Sequence, residues 1–577
     1  MNSSLACCNA PAKRAPSACL RMVLFLLFAT ASFCKTALAG AIVVGEGADC
    51  SYATIQDAID RAYELCRTGF CGYNLILVTD DVRDSVHHEN LTIPDMSVYP
   101  DLSIELAGGY NNCRDLAPTS FGKASLYGGG ANRPSLKMSG FTNVKLRNLW
   151  IDGGNKGIEW IGRGEVALTD VTVNHSTIGV YVSSSGGSPY LSLLGGAEIV
   201  GHDSQGILAW GNTVVTVRGD RNSIRGNGLG GIRLNTGAVV DIGASGKVIS
   251  GNGGYGLAID ASGLSSARTS YLYSTNPAVP LRISQNGDGA IWVLSDDSDY
   301  SLCAANIGID GNTGSAIRAV GAHARLELNS ENCVIPQQPS ISCPVPMGPG
   351  MCNAIAGNPG ADDALLVSAV DGASILMRRV LLTNNTASSL LSTNRSEEDS
   401  SAASITLTDS LVTGNTVRDD LFESQRGGIV DIWDSTVRLN GGSFQNSFIG
   451  IAPGLMQMTN SILDQEQDLV GLVGTNGSTT HFTHVLARNA SGAPGGSDIL
   501  LGQPSYLDGG IGQLAPTSPG VDYAPAGGGL DFGGHPRDVD TLGLPNQFGP
   551  RDLGAFESQV VVFDRIFASG LERFQQP

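Results

Sequence analysis

The sequence predicts an all-β solenoid, a stack of short-stranded coils, and three observations predict it. A small residue followed by an aliphatic one recurs at Gly157-Ile158, Gly179-Val180, Gly206-Ile207, Gly231-Ile232, Gly256-Leu257, Ala290-Ile291 and Ala316-Ile317. The aliphatic members lie 22, 27, 25 and 25 residues apart in the first run and 26 apart in the last pair. A strand-rich period in the twenties means coils whose neighbours complete each other's core. Glycine supplies 76 of 577 residues, about twice its usual share, without the every-third-residue pattern of collagen. These glycines stand beside Asn, Asp and Ser between apolar runs, where corners with positive φ need them. A chain this long normally divides into several domains, but a stack grows in one dimension and each coil needs only its neighbours.

Residues 1–39 read as an export leader: Lys13, Arg14 and Arg21 precede an apolar stretch from Met22 to Phe33, and Ala37-Leu38-Ala39 fits a cleavage site. That stretch is too short to span a bilayer, and no later one is long enough. Without the leader, 31 cationic face 54 acidic side chains, a net charge of -23. Such a surface repels nucleic acid and anionic membrane. Eight cysteines follow the leader, Cys50, Cys66, Cys71, Cys113, Cys303, Cys333, Cys343 and Cys352. Their even number and the export context favour disulfides, with the pairing left open.

Residues 40–130 form the N-terminal cap and first coils. Ala41-Ile42-Val43-Val44 is a strand, and Thr54 opens a helix with Ile55, Ala58, Ile59, Ala62 and Leu65 on one face. Thr54 and Asp57 have the form of a capping box, and a helix here covers the open end of the first coil. Residues 131–556 carry the coils. Asn227, Asn252, Asn286, Asn312, Asn358 and Asn415 adjoin a glycine at one phase of the repeat. Amides there donate to a neighbouring coil's carbonyl and build a ladder inside the corner. The stretch 261–280 reads as a loop or inserted coil, and beyond about Leu500 proline and glycine mark a chain leaving the stack.

The Gly-Ile strands, Asn-Gly corners and coil length resemble secreted right-handed parallel β-helix proteins with the pectin-lyase-like fold. The ending Asp531-Phe532-Gly533-Gly534 through Arg537 to Arg551-Asp552-Leu553-Gly554-Ala555-Phe556-Glu557 resembles the choice-of-anchor type of bacterial β-helix protein. Cys50-Ser51-Tyr52-Ala53-Thr54-Ile55-Gln56-Asp57-Ala58 and Leu106-Ala107-Gly108-Gly109-Tyr110 resemble its cap and first coils. In that family the last coil closes on the Asp-Ile-Gly-Ala-Phe-Glu signature. Within a C-terminal tail of residues 557–577, Arg565-Ile566-Phe567-Ala568-Ser569-Gly570-Leu571-Glu572 resembles a short tail of exported proteins of some gammaproteobacteria, with Leu571 where Phe is usual. The resemblance implies a secreted or outer-surface protein of a Gram-negative bacterium.

The repeat's phase also predicts a surface. If each aliphatic residue points inward, the next points outward, giving the column Glu159, Tyr181, Leu208, Arg233, Ala258, Trp292 and Arg318. Trp210 shares that parity. Aromatic and arginine side chains on a flat sheet suit sugar rings and their hydroxyls; the alternative is an ordinary solvated face partly covered by 261–280. Asp296, Asp297 and Asp299 are the nearest candidates for calcium, and a pectate-lyase-like enzyme would pair such ligands with a base. Asp419-Asp420 and His202-Asp203 fall on distant coils and cannot share one substrate. The favoured function is a non-catalytic glycan- or surface-binding module. The alternative is a calcium-assisted polysaccharide lyase or a glycoside hydrolase acting on acidic polysaccharide.

Overall fold

The computed structural model describes residues 41–79, 86–114, 122–130, 132–276, 278–329, 333, 353–361, 363–396, 401–444, 446–451, 453–473, 478–495, 497–507, 512–541 and 544–558. The predicted leader, Cys343, Cys352 and the predicted tail beyond Ser558 lie outside them. The chain is a parallel β-helix of about 14 turns, and every pairing between its named strands is parallel. Each regular coil contributes one strand to each of three faces. Sheet A holds Gln205–Trp210, Gly230–Asn235, Tyr255–Asp260, Gly289–Leu294 and Ser315–Val320. Sheet B holds Val214–Arg218, Val239–Gly243, Arg268–Tyr273 and Tyr300–Ala305. Sheet C holds Ser223–Arg225, Gly246–Ser250, Leu281–Ser284 and Ile307–Asp310.

The recurrent aliphatic residues stack in one register: Ile158, Val180, Ile207, Ile232, Leu257, Ile291, Ile317 and Val367 are successive partners. All are buried in one continuous core. The stretch 261–280 is a full part of this stack, because Arg268–Tyr273 pairs with its neighbours in sheet B on both sides. Its longer turn before that strand hides the period.

Inside the corner between sheets C and A runs the asparagine ladder. Asn227 donates through Nδ2 to Asn252 Oδ1 at 2.8 Å, and the relay continues through Asn286, Asn312, Asn358, Asn385, Asn415 and Asn440 at 2.8–3.0 Å. Each oxygen also accepts the backbone N–H of the preceding asparagine. The buried corner amides therefore satisfy one another. Two rungs, Asn385 and Asn440, follow Asn384 and Leu439 in the left-handed region (φ 53 and 50), where Asn227 follows Gly226 (φ 66). The ladder explains the repeat's signature. A Cβ on Gly231 would sit 3.0 Å from Asn252 Nδ2 and 2.6 Å from a backbone oxygen, so the small residue is required for room rather than for positive φ.

His202 begins the ladder where another asparagine would stand. Its N–H donates to Asn227 Oδ1 at 3.2 Å, and its ring lies against Ser176 Oγ (2.9 Å) and Val173 O (3.1 Å). At the other end Gln465, with its amide turned to suit its neighbours, accepts from Asn440 Nδ2 at 2.9 Å.

Helix α1 (Ile55–Arg67) closes the N-terminal end, burying Ile55, Ala58, Ile59, Ala62 and Cys66 against Ile42, Val44 and Ile76 of the core. Thr54 Oγ1 accepts from Asp57 N at 3.1 Å. The two amides before that one go to a distant residue, for Glu89 accepts from Ile55 N (2.9 Å) and Gln56 N (3.0 Å). Cys50–Cys113 and Cys66–Cys71 fasten this cap, and Cys303–Cys333 fastens the edge of the mid-chain interruption.

Among the described residues, the chain from Gly502 to Ser558 neither adds a named strand to the stack nor departs from it. It returns over the outside of sheet C. Leu553 packs with Ile462 and Leu486, Ala555 N donates to Thr436 Oγ1 at 2.9 Å, and Phe556 packs with Leu411, Leu381 and Ala354. The signature read as a closing coil is thus an arm crossing successive strands back toward earlier coils. Arg537 pairs with Asp409 at 2.8 Å and Arg551 with Asp434 at 3.1 Å. The acids of the signature bind backbone instead: Asp531 accepts from His535 N and Glu557 N, and Glu557 accepts from Val539 N and Asp552 N.

Candidate functional site

The outward column predicted on sheet A is one ladder of in-register partners: Glu159, Tyr181, Leu208, Arg233, Ala258, Trp292 and Arg318. It is not one uniform surface. At its start Lys156 pairs with Glu159 and stands over the Tyr181 ring, 4.4 Å from the centroid. Glu159 is consequently buried, and one face of Tyr181 is occupied by the protein's own cation. Trp210 is outward and 40% exposed, one column away on the same sheet.

The other end of the column is a cleft. Two short outward residues, Ala258 between Arg233 and Trp292, and Gly230 between Gln205 and the next coil's Tyr255, leave a depression of about 320 Å³. Tyr255 and Trp292 wall it as a stacked pair, with centroids 6.3 Å apart and planes 28° from parallel. Arg233, Asp288, Gln205 and Leu229 complete the lining. Arg233 is held by Asn235 Oδ1 at 3.2 Å and Asp260 at 3.6 Å. Burial pushes the Tyr255 phenol above its ordinary value, and Asp288 raises it further while Arg318 opposes both. The phenol is therefore neutral and available to donate a hydrogen bond. An apolar wall with a few fixed polar groups is the usual form of a small-ligand site. This one offers two ring faces for stacking, guanidinium donors at one side and a carboxylate and an amide as acceptors.

Of the residues that line the cleft, the outward column read from sequence contains Arg233, Ala258 and Trp292 but not Tyr255, Gln205 or Asp288. Tyr255 precedes the Gly256-Leu257 pair, where the backbone presses against the asparagine ladder and strict two-residue alternation stops. The signal was present as a second column at the same period, in the residue before each small-aliphatic pair.

The three acids predicted to hold calcium do not converge. Asp297 accepts from Gly263 N at 2.7 Å, Asp299 pairs with His323 Nδ1 at 2.9 Å, and Asp296 is raised in pKa by burial and then by Asp297 and other acids nearby. Among the described residues no group of three or more His, Cys, Asp or Glu side chains is placed to hold a metal ion. Asp297 and Asp299 are each engaged by a separate partner. His202 is buried in the ladder, and the half-buried Asp420, pushed up to about 6 mainly by burial, lies on a late coil. No helix among the described residues is long and apolar enough to cross a membrane. No protein-family model matches this chain, and no curated protein matches it.

Proposed function

We propose that the protein is an exported β-helix that binds a glycan, without chemistry, in the Tyr255–Trp292 cleft of sheet A. The observation that carries this reading is the coincidence at one place of a stacked aromatic pair, flanking arginines and a gap made by Ala258 and Gly230. Stacked coils give such a face rigidity, so little side-chain order must be bought on binding. Three disulfides among the described residues, together with the leader-like start and the likeness of the arm to choice-of-anchor, pectin-lyase-like proteins, support export to the surface of a Gram-negative cell. A calcium-assisted lyase draws no support from the acids of 296–299.

The test is a glycan panel probed with the mature chain, with Trp292→Ala and with Tyr255→Ala, alongside an assay for shortened products with calcium and with a chelator. The proposal predicts selective binding by the native chain, at least tenfold weaker for either variant, and no product. Equal binding by all three, or release of product, would overturn it.

A further inference from the structure

We infer that sheet C carries a second carbohydrate-binding platform, built on Trp150 and Tyr127 and separate from the cleft of sheet A. Both residues sit on the outer side of early coils, 42% and 41% exposed. Their strands pair with Trp150 opposite Ser125 and Asp152 opposite Tyr127. The two aromatics are therefore diagonal neighbours, about 7–8 Å apart at their backbones.

Neither ring is loose. The Trp150 indole N–H donates to Asn174 Oδ1 at 2.9 Å, and Asn174 is itself 5% exposed. The Tyr127 ring lies against the backbone of the next coil, where a Cβ on Gly153 would stand 3.2 Å from Cε2. Its edge meets His88, with centroids 5.4 Å apart. Rigid aromatic surface of this kind binds at low cost in conformational entropy.

The surroundings select the ligand class. Asp152, the strand partner of Tyr127, pairs with the exposed His175 at 3.4 Å. Lys123 donates to Thr172 Oγ1 at 2.6 Å, and Thr172 is the strand partner of Trp150. The rim thus holds both signs of charge, already engaged, on a chain of net charge -19. That suits hydroxyl groups and gives a polyanion no cluster of cations. A short neutral saccharide, with one ring face on each aromatic, matches both the spacing and the rim.

The experiment uses the full chain carrying Trp292→Ala, so that the sheet A cleft is disabled and the two sites are read separately. Cellohexaose and maltohexaose are titrated by calorimetry, and sedimentation velocity is run on the same samples. The platform predicts saturable binding of one of them, weakened at least tenfold by adding Trp150→Ala and, independently, by adding Tyr127→Ala, with circular dichroism showing the β fold intact in each. Absence of binding to the Trp292→Ala chain, equal binding after both additions, or a dimer that Trp150→Ala converts to monomer would overturn the inference.

Discussion

Replacing Asn312 by alanine removes one rung of the ladder, and the structure states what is lost. Asn312 is fully buried. Its Oδ1 accepts from Asn286 N (3.0 Å) and Asn286 Nδ2 (2.9 Å), and its Nδ2 donates to Asn358 Oδ1 (3.0 Å), Ile283 O (3.2 Å) and Asp310 O (3.2 Å), the last of which keeps the Gln285 N–H. Asn358 Oδ1 keeps the Asn312 N–H at 3.0 Å, so the orphaned groups are the two Asn286 donors and the Ile283 carbonyl. Unpaired buried groups cost about 1–3 kcal/mol each. Relaxation around the smaller side chain lowers that sum, and we expect about 3–5 kcal/mol. A long stack need not unfold as one unit, so the assay is local: amide hydrogen exchange resolved at Asn286 and its neighbours. Exchange at Asn286 should accelerate by about a hundredfold or more, since each 1.4 kcal/mol is tenfold. The double variant Asn286→Ala/Asn312→Ala should cost less than the sum of the single ones, because adjacent rungs share bonds. An unchanged Asn286 amide, or strict additivity, would refute the ladder as a stabilising element.

Three further outcomes follow from the same geometry. Burial pushes His202 down to about 4 from 6.5; the unfolded ring takes a proton below its ordinary value while the folded ring resists it, so stability present above about pH 6.5 is lost as pH falls toward 4. His202→Asn, which continues the ladder, should flatten that dependence in melting curves between pH 4.5 and 7. Arg551→Ala removes the ion pairs to the buried Asp434 and to Asp538 while Arg537 stays near Asp434, and should cost the arm about 1–3 kcal/mol, seen as faster protease cleavage between residues 512 and 541. Glu557, pushed up to about 8 by burial and then by Asp552, holds its proton more tightly folded than unfolded. Its contribution is complete below about pH 4.5 and is lost as pH rises to 8, and Glu557→Gln should remove this alkaline loosening of the arm in the same protease assay.

The stack, its register, the capping helix and most of the asparagine ladder were legible in the sequence because each repeats with the coil. Where a rung follows Asn384 or Leu439 instead of glycine, the left-handed corner persists but its marker does not, and Asn385 and Asn440 disappear from view. The arm was illegible for a different reason. Its partners are long-range, as in Arg537 with Asp409 and Arg551 with Asp434, and no local pattern reports a chain folding back over its own sheet. A hint lay in the outer residues of sheet C, which turn apolar at Leu381, Leu411, Ile462 and Leu486. The cleft was half legible: alternation found Trp292 and Ala258, while Tyr255 lies where alternation breaks. The partners of Asp297 and Asp299 were not legible, because acids close in sequence turn to separate partners in a corner.

The most direct measurement leaves every ring and charge in place and fills the gap between them. Ala258 is the outward residue between Arg233 and Trp292, and Ala258→Leu projects its added carbons into the depression without touching the core. Calorimetric titration of the tightest glycan from the panel should show binding weakened at least tenfold in Ala258→Leu with an unchanged melting temperature. Affinity equal to that of the native chain would contradict the assignment of the cleft as the binding site.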